Sequence, residues 1–509
     1  VRYGFLIDHR KCIGCHACTV ACKEENQVPL GVYRTWVKYV ERGTFPHTRR
    51  YFSVLRCNHC EAAPCVAICP TVALYRRADG IVDFDRDRCI GCKSCMQACP
   101  YDALYMDPQT HTAAKCNYCA HRTEVGLEPA CVIVCPEQAI IAGDLDQPAS
   151  RISRLLATEQ VQVRKAEKGT RPKLYYVGAD GAALTPQTLA RGEAYLFAQN
   201  GRSPSVASSS PAADRSALKD LQALARTVYD VAHLERPWGW KVATYLWTKS
   251  IASGALLLAA LAVAGGWAAG GPLSGVAAPA IALVFLLLTT ALLVHDLKRP
   301  DRFHFILLKP NWRSWLVWGA WVLMAFGGMS ALWLVAGLYG KTSLLRLFAW
   351  SAAAVSAAAA GYSAFLFRQA QGRDFWQSPL LLWHLLVAAG VAGAASLVLG
   401  GLALGSEPDV VSPLARVLAL FLAGHAGVLL AELFGPHPNQ DAARAAALLT
   451  RGNLRNRFWG GVVVGGIALP LFFVFIGPAG AAAASVLALG GLWLYEDLWV
   501  KAGQSVPLS

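Results

Sequence analysis

Sixteen cysteines, all between Cys12 and Cys135, are the residues of this 509-residue chain best placed to do chemistry. They stand in four groups of four: Cys12, Cys15, Cys18 and Cys22; Cys57, Cys60, Cys65 and Cys69; Cys89, Cys92, Cys95 and Cys99; Cys116, Cys119, Cys131 and Cys135. Three chemistries compete for them. Disulfides suit an oxidising compartment, but cysteines two residues apart are poor disulfide partners and recur here too regularly. Structural zinc takes C-x2-C pairs, yet two linked pairs usually stand a dozen or more residues apart. Three cysteines spaced by two residues, then a fourth after three more, is the spacing that holds an iron–sulfur cluster. Sixteen thiolates match four [4Fe–4S] clusters with none left over.

In a two-cluster ferredoxin the fourth cysteine of each run ligates the other cluster. Applied to the adjacent second and third groups, that rule completes Cys57, Cys60 and Cys65 with Cys99, and Cys89, Cys92 and Cys95 with Cys69. The outer groups then pair with each other. Cys12, Cys15 and Cys18 take Cys135, while Cys116, Cys119 and Cys131 take Cys22. One ferredoxin-like unit encloses another.

The elements that position these residues belong to two unlike halves. Long apolar runs begin only near Ser250, and they account for the mean hydropathy of +0.36 and the 55% hydrophobic content. Eight segments have roughly spanning length: about 248–268, 276–295, 315–338, 344–367, 380–403, 412–434, 460–477 and 479–498. The last two share a short "GPAG" turn, so one of them could be re-entrant. Between the halves, "GRSPSVASSSPAADRS" (201–216) reads as flexible linker. Residues 217–236 are mildly amphipathic, and "ERPWGWK" brings two tryptophans to a membrane edge. The expected division is a four-cluster domain over 1–180, a linker over 181–240 and a transmembrane domain over 241–509. In fold class this is an α+β double ferredoxin-like domain followed by an all-α polytopic domain of about eight helices.

The net charge of +14 does not point to nucleic acid. Residues 1–240 carry 30 Lys and Arg against 24 Asp and Glu, an excess that four anionic clusters would offset. The rest lies in loops between apolar segments. With an even number of spans, the side bearing the cysteines holds 14 Lys and Arg and the other side three. The positive-inside rule then places the clusters in the cytoplasm, on the inner face of the cytoplasmic membrane. Basic residues kept for docking would bias the count the same way, which leaves the periplasmic side as the alternative. No apolar leader precedes Cys12.

"CIGCHACTVACKEEN", "CNHCEAAPCVAICP", "CIGCKSCMQACPYDALY" and "KCNYCAHR…PACVIVCP" resemble the four-cluster electron-transfer subunits of dimethyl-sulfoxide-reductase-type molybdoenzymes over about residues 1–180. That resemblance implies a near-linear wire with the Cys12 site facing a molybdopterin catalytic subunit and the Cys69 site facing the membrane. Some relatives put tryptophan at one ligand position and carry a three-iron cluster; this chain has cysteine at each. "HDLKRPDRFHFILLKPNWRSWLVWG" (295–319), "GYSAFLFRQAQGRDFWQSPLL" and "RFWGGVVVGG…LP" are similar to the polysulfide-reductase (NrfD-like) membrane subunits over about 240–500. This second resemblance implies two four-helix bundles, no haem and a quinone site on the cluster-facing side. In both families the wire and the anchor are usually separate subunits; here they are fused.

A quinone, menaquinone or ubiquinone, needs hydrogen-bond partners at its carbonyls and a route for protons. Asp296 carries over from the family's Asp-Leu…Pro motif, and His295, His304 and Tyr245 join it by position. Ionisable residues in the spans default to functional hypotheses, and His384, His425, Glu432, Lys249, Glu496 and Asp497 all count to the cluster side or the mid-membrane. His425 and Glu432, seven apart, share a helix face. No continuous proton wire crosses to the far side. The chain has no substrate site beyond the quinone one: no molybdopterin domain, nucleophile constellation or dinucleotide fingerprint. The reading is an electron-transfer and membrane-anchor subunit of a quinone-linked molybdopterin oxidoreductase of anaerobic respiration. The alternatives are the equivalent subunit of a hydrogenase or of a quinol-oxidising complex, and a zinc-stabilised membrane scaffold.

Overall fold

A computed structural model of the chain describes residues 1–44, 46–191, 225–231, 236–268, 270–406 and 408–509. The 201–216 linker and most of the amphipathic 217–236 stretch lie outside the described residues. The chain forms two compact units, one of Val1–Glu235 with Pro507–Ser509 and one of Arg236–Val506.

The first unit is built on two four-stranded sheets. In one, β1 (Tyr3–Asp8) lies between β8 (Ile140–Asp144), antiparallel to it, and β10 (Leu174–Val177), parallel to it, with β9 (Val161–Gln162) outermost. Phe5, Leu6 and Ile7 of β1 are almost wholly buried, so a continuous apolar run makes this strand central. The other sheet is a long hairpin of β2 (Thr35–Thr44) and β3 (His47–Arg56), extended by β12 (Ala225–Tyr229) and β11 (Ala190–Arg191). These last two strands fall within 181–240, the stretch expected to be linker. The Lys38 ammonium, buried on β2, meets Asp230 just past β12 at 2.8 Å. Two short ribbons, β4 (Leu74–Arg76) with β5 (Val82–Phe84) and β6 (Leu104–Met106) with β7 (Ala113–Lys115), complete the strands.

Short helices follow the paired cysteines: Ala17–Glu25, Pro64–Ile68, Ser94–Ala98 and Ala130–Ile133. "CIGCHAC" and "CIGCKSC" adopt one loop geometry twice. Gly14 and Gly91 have φ of 71° and 69°, and His16 and Lys93, two residues on, have φ of 61° and 63°. A Cβ at Gly14 would also overlap the Phe52 ring, so both backbone and space demand glycine there.

Among the described residues, the second unit contains seven helices long and apolar enough to cross a membrane: Trp240–Ala264, Pro272–Asp296, Trp315–Leu338, Thr342–Gln369, Leu381–Ala403, Val410–Phe434 and Gly477–Ser505. The expected span at 460–477 is instead the shorter helix Arg457–Phe473, whose first twelve residues wind as π-helix. It packs tightly all the same, because Gly466 and Gly491 bring its backbone directly against the last span. The first and fifth spans cross just as closely at Gly254 and Gly393. Of the two tryptophans expected at a membrane edge, Trp240 is exposed, but Trp238 is buried. Its ring stacks on Trp376 at 5.4 Å, and the side-chain amide of Gln504 holds its backbone N–H and carbonyl. The satisfied amide lets this indole leave the interface.

Candidate functional site

Three cavities in the first unit are walled by thiols. One is lined by Cys12, Cys15, Cys18 and Cys135, a second by Cys22, Cys116, Cys119 and Cys131, and a third by Cys69, Cys89, Cys92 and Cys95. Cys57, Cys60, Cys65 and Cys99 form a fourth set, buried and within electrostatic reach of one another. Each set draws on two of the sequence groups. None of the sixteen forms a disulfide. Among the described residues no three His, Cys, Asp or Glu side chains close tightly enough to hold a single metal ion; the thiols surround a space.

The walls donate hydrogen bonds to sulfur. Peptide N–H groups of Leu74, Ala113 and Ala139 reach Cys69, Cys89 and Cys135 at 3.4, 3.4 and 3.2 Å. The Asn26 amide lies 3.6 Å from Cys119 Sγ, and Arg56 Nη1 lies 3.1 Å from Cys131 Sγ. Burial pushes the bare thiols up, Cys92 to about 12 and Cys99 to about 11, with Cys22, Cys65 and Cys95 raised further by the thiols facing them. Four acidifiable sulfurs around one space, with donors aimed at them, fit an iron–sulfur cluster, whose cationic iron takes thiolates rather than thiols.

In the second unit the four candidate quinone residues separate. Tyr245 is buried and within electrostatic reach of Ser363, Asp296, Tyr362 and Glu496. His295 is exposed, and His304 rests against its own neighbours Phe303 and Phe305. Lys249, one turn from Tyr245, is fully buried and donates to Ala360 O and Ser363 Oγ, both at 2.8 Å. A further polar group lies among the fifth, sixth and last spans. His384 Nδ1 meets Glu432 Oε2 at 2.7 Å, and Ser378 Oγ donates to the other carboxylate oxygen at 3.1 Å. The His384 ring stacks on Tyr495 at 5.0 Å and meets His425 edge-on at 5.4 Å. Spacing in the sequence groups Glu432 with His425, but its partner is His384 on another helix. Tyr362, Ser363 and Tyr495 also escape sequence reasoning, since a tyrosine or serine in an apolar run carries no mark of what it faces.

A family model described as "4Fe-4S dicluster domain" matches residues 48–145, and "4Fe-4S binding domain" matches 10–28. The model "Polysulphide reductase, NrfD" matches residues 231–496, just over half of the chain. This protein belongs to the NrfD polysulphide reductase family. A tetrathionate reductase subunit of Salmonella typhimurium is 47% identical over 189 residues, 36% of this chain and 76% of that one. A polysulfide reductase chain of Wolinella succinogenes is 44% identical over 181 residues, 35% of this chain and 94% of that one. A putative dimethyl sulfoxide reductase iron–sulfur subunit of Halobacterium salinarum is 39% identical over 208 residues, 35% of this chain and 79% of that one. This NrfD-family chain is thus a multi-pass membrane protein with an iron–sulfur electron-transfer subunit fused to its membrane subunit.

Proposed function

We propose that the chain is the electron-transfer and membrane-anchor subunit of a quinone-linked molybdopterin oxidoreductase, with four [4Fe–4S] clusters on its sixteen cysteines and no haem. The observation that carries this reading is the sorting of sixteen cysteines into four sets of four, each made from two sequence groups. Cys12, Cys15, Cys18 and Cys135 hold one cluster; Cys22, Cys116, Cys119 and Cys131 the next; Cys57, Cys60, Cys65 and Cys99 the third; Cys69, Cys89, Cys92 and Cys95 the last. When bound, such clusters carry single electrons, which suits a chain serving both a substrate reaction on a partner and the two-electron chemistry of a quinone.

The chain's own residues do the rest. Peptide N–H groups and Asn26 donate to sulfur and so stabilise the thiolate form. In the membrane, Tyr245 and Asp296 are the groups offered to a quinone headgroup, with Ser363 beside Tyr245 and held by Lys249. His295 and His304 serve the protons at the same end of the helices. The iron–sulfur unit faces the cytoplasm in this reading, on the weight of the basic loops.

Metal analysis of the complex purified through this chain is the test. About sixteen irons per chain, with molybdenum or tungsten in the copurifying large subunit, is the expected result. Nickel in that subunit would favour the hydrogenase reading. Zinc in place of iron, with no paramagnetic signal after dithionite, would end the wire altogether. Cys12→Ser and Cys135→Ser should remove the same spectral species, and Cys22→Ser a different one.

A further inference from the structure

Arg56 closes β3 immediately before Cys57 and is 1% exposed. Three other buried basic side chains of the first unit have oxygen partners. Lys38 meets Asp230; Lys115 donates to the carbonyls of Val82 and Cys116; Arg164 donates to Leu184 O and Gln187 Oε1. Arg56 differs. Its one hydrogen bond goes to Cys131 Sγ at 3.1 Å, and its Nε and Nη2 are buried with no partner. Beneath the guanidinium lies the Phe5 ring, 4.8 Å to the centroid. Its electrostatic neighbours are Cys131 and Cys116 of one cavity and Cys18 of the other. A permanent cation is thus enclosed between two thiol cavities, and no carboxylate pairs with it among the described residues.

A buried charge needs a counter-charge, and a guanidinium does not escape by losing its proton. Among the described residues, the anions in reach are the sulfurs of the two cavities once they carry iron. We infer that Arg56 is the shared counter-ion of the two outer iron–sulfur sites and raises the reduction potentials of both. The inference rests on the four-cluster reading. Its physics is one of sign: each cluster gains an electron on reduction, so a fixed positive charge stabilises the reduced form more than the oxidised one. The unpartnered Nε and Nη2 give the guanidinium unspent donors for the same sulfurs, and hydrogen bonds to sulfur act in the same direction. Lys115 is a second buried cation, its ammonium held by two carbonyl oxygens and within electrostatic reach of Cys57 and Cys65, so an inner set keeps its own positive charge when Arg56 is removed.

The experiment is a potentiometric titration of the full complex, followed by paramagnetic resonance, in Arg56→Met and Arg56→Lys. With methionine, the reduced-to-oxidised ratio of the two outer clusters at a fixed poise should fall at least tenfold, about 59 mV for a one-electron couple. The two inner clusters should stay in place. Lysine keeps the charge but loses the fork, so a smaller shift in the same two species is expected. Four unshifted midpoints in Arg56→Met at full iron content overturn the counter-ion role, as does an equal shift of all four. If the methionine variant fails to load the outer sites while lysine loads them, the counter-charge is required for assembly, which supports the inference. Failure of both variants with normal inner clusters leaves the lysine-to-wild-type comparison of iron content to decide: equal loss in both overturns a charge-based role. Absence of clusters from the wild-type protein would instead remove the four-cluster reading itself.

Discussion

Gly254→Ala should loosen the helical unit at its centre. A Cβ at this position would overlap the carbonyl oxygen of Ala389 and lie 2.8 Å from that residue's carbonyl carbon and 2.9 Å from the Gly393 nitrogen. Ordinary contact begins at 3.4 Å, so the carbon alone requires the first and fifth spans to part by about 0.6 Å, and the oxygen requires more. All the blocking atoms are backbone, so no side chain can swing aside. Overpacking of this kind costs about 1–3 kcal/mol, which lowers the midpoint of heat inactivation by about 2–4 °C per kcal/mol. Lys249 and Tyr245 ride on the same helix, about one and a half and two and a half turns away, and a displacement of about 1 Å at a reacting centre can cost about a hundredfold in rate. The assay pairs heat stability in detergent with quinone turnover for Gly254→Ala, Gly393→Ala and the double variant. Both substitutions open one gap, so the double variant should cost less than the two singles together. A Gly254→Ala protein as stable as wild type, or strictly additive losses, would refute the close-crossing argument.

Removing one partner of the buried His384–Glu432 pair should be worse than removing both. His384→Leu is expected to cost about 3 kcal/mol or more, and His384→Leu with Glu432→Leu distinctly less; equal losses in a heat-stability assay would contradict this. His9, at the end of β1, has both ring nitrogens buried without a partner, and burial lowers its pKa to about 4 although Asp8 pulls the other way. An unfolded imidazole titrates near about 6.5. Between those values only the unfolded chain takes up the proton, so stability falls as pH falls through that window and is insensitive to His9 above it. His9→Phe should flatten the slope between about pH 6.5 and pH 4, visible as a smaller drop in unfolding midpoint. Asp296→Asn should impair quinone turnover and leave all cluster signals intact; unchanged quinone kinetics would remove Asp296 from the site.

The grouping of Cys12, Cys15 and Cys18, and of Cys89, Cys92 and Cys95, is a local matter, because a C-x2-C-x2-C run keeps its three residues within one loop and the start of a short helix. The crossing of Cys22 and Cys135 into each other's sets also follows from a local rule, since the fourth residue of each run points out of its own loop. What lay beyond reach was anything set by a neighbour distant in sequence. β11 and β12 are too short to announce themselves; β12 takes the edge that β2 offers, and β11 adds to β12. The His384–Glu432 contact joins two spans whose apolar composition hides their rotation about their own axes. Likewise, Trp238 is an interfacial tryptophan by type and a buried one by virtue of Gln504, 266 residues away. The short penultimate helix departs from its expected length because π-winding places more residues in less rise, something hydropathy does not report.

The nesting of the thiol sets has a consequence for biosynthesis. Once residue 99 has left the ribosome, every sulfur of the two inner sets is in hand, and a scaffold protein delivering iron has a complete target. The outer sets wait for Cys131 and Cys135, and the sheet that backs them waits for β10, parallel to β1 at its far end. At about 5–20 residues per second this is a delay of seconds. During it, Cys12, Cys15, Cys18 and Cys22, the first of the sixteen in sequence, are the last to be enclosed. In the four-cluster reading proposed above, maturation runs from the inside outward, and an oxidant met during translation finds these four thiols still open.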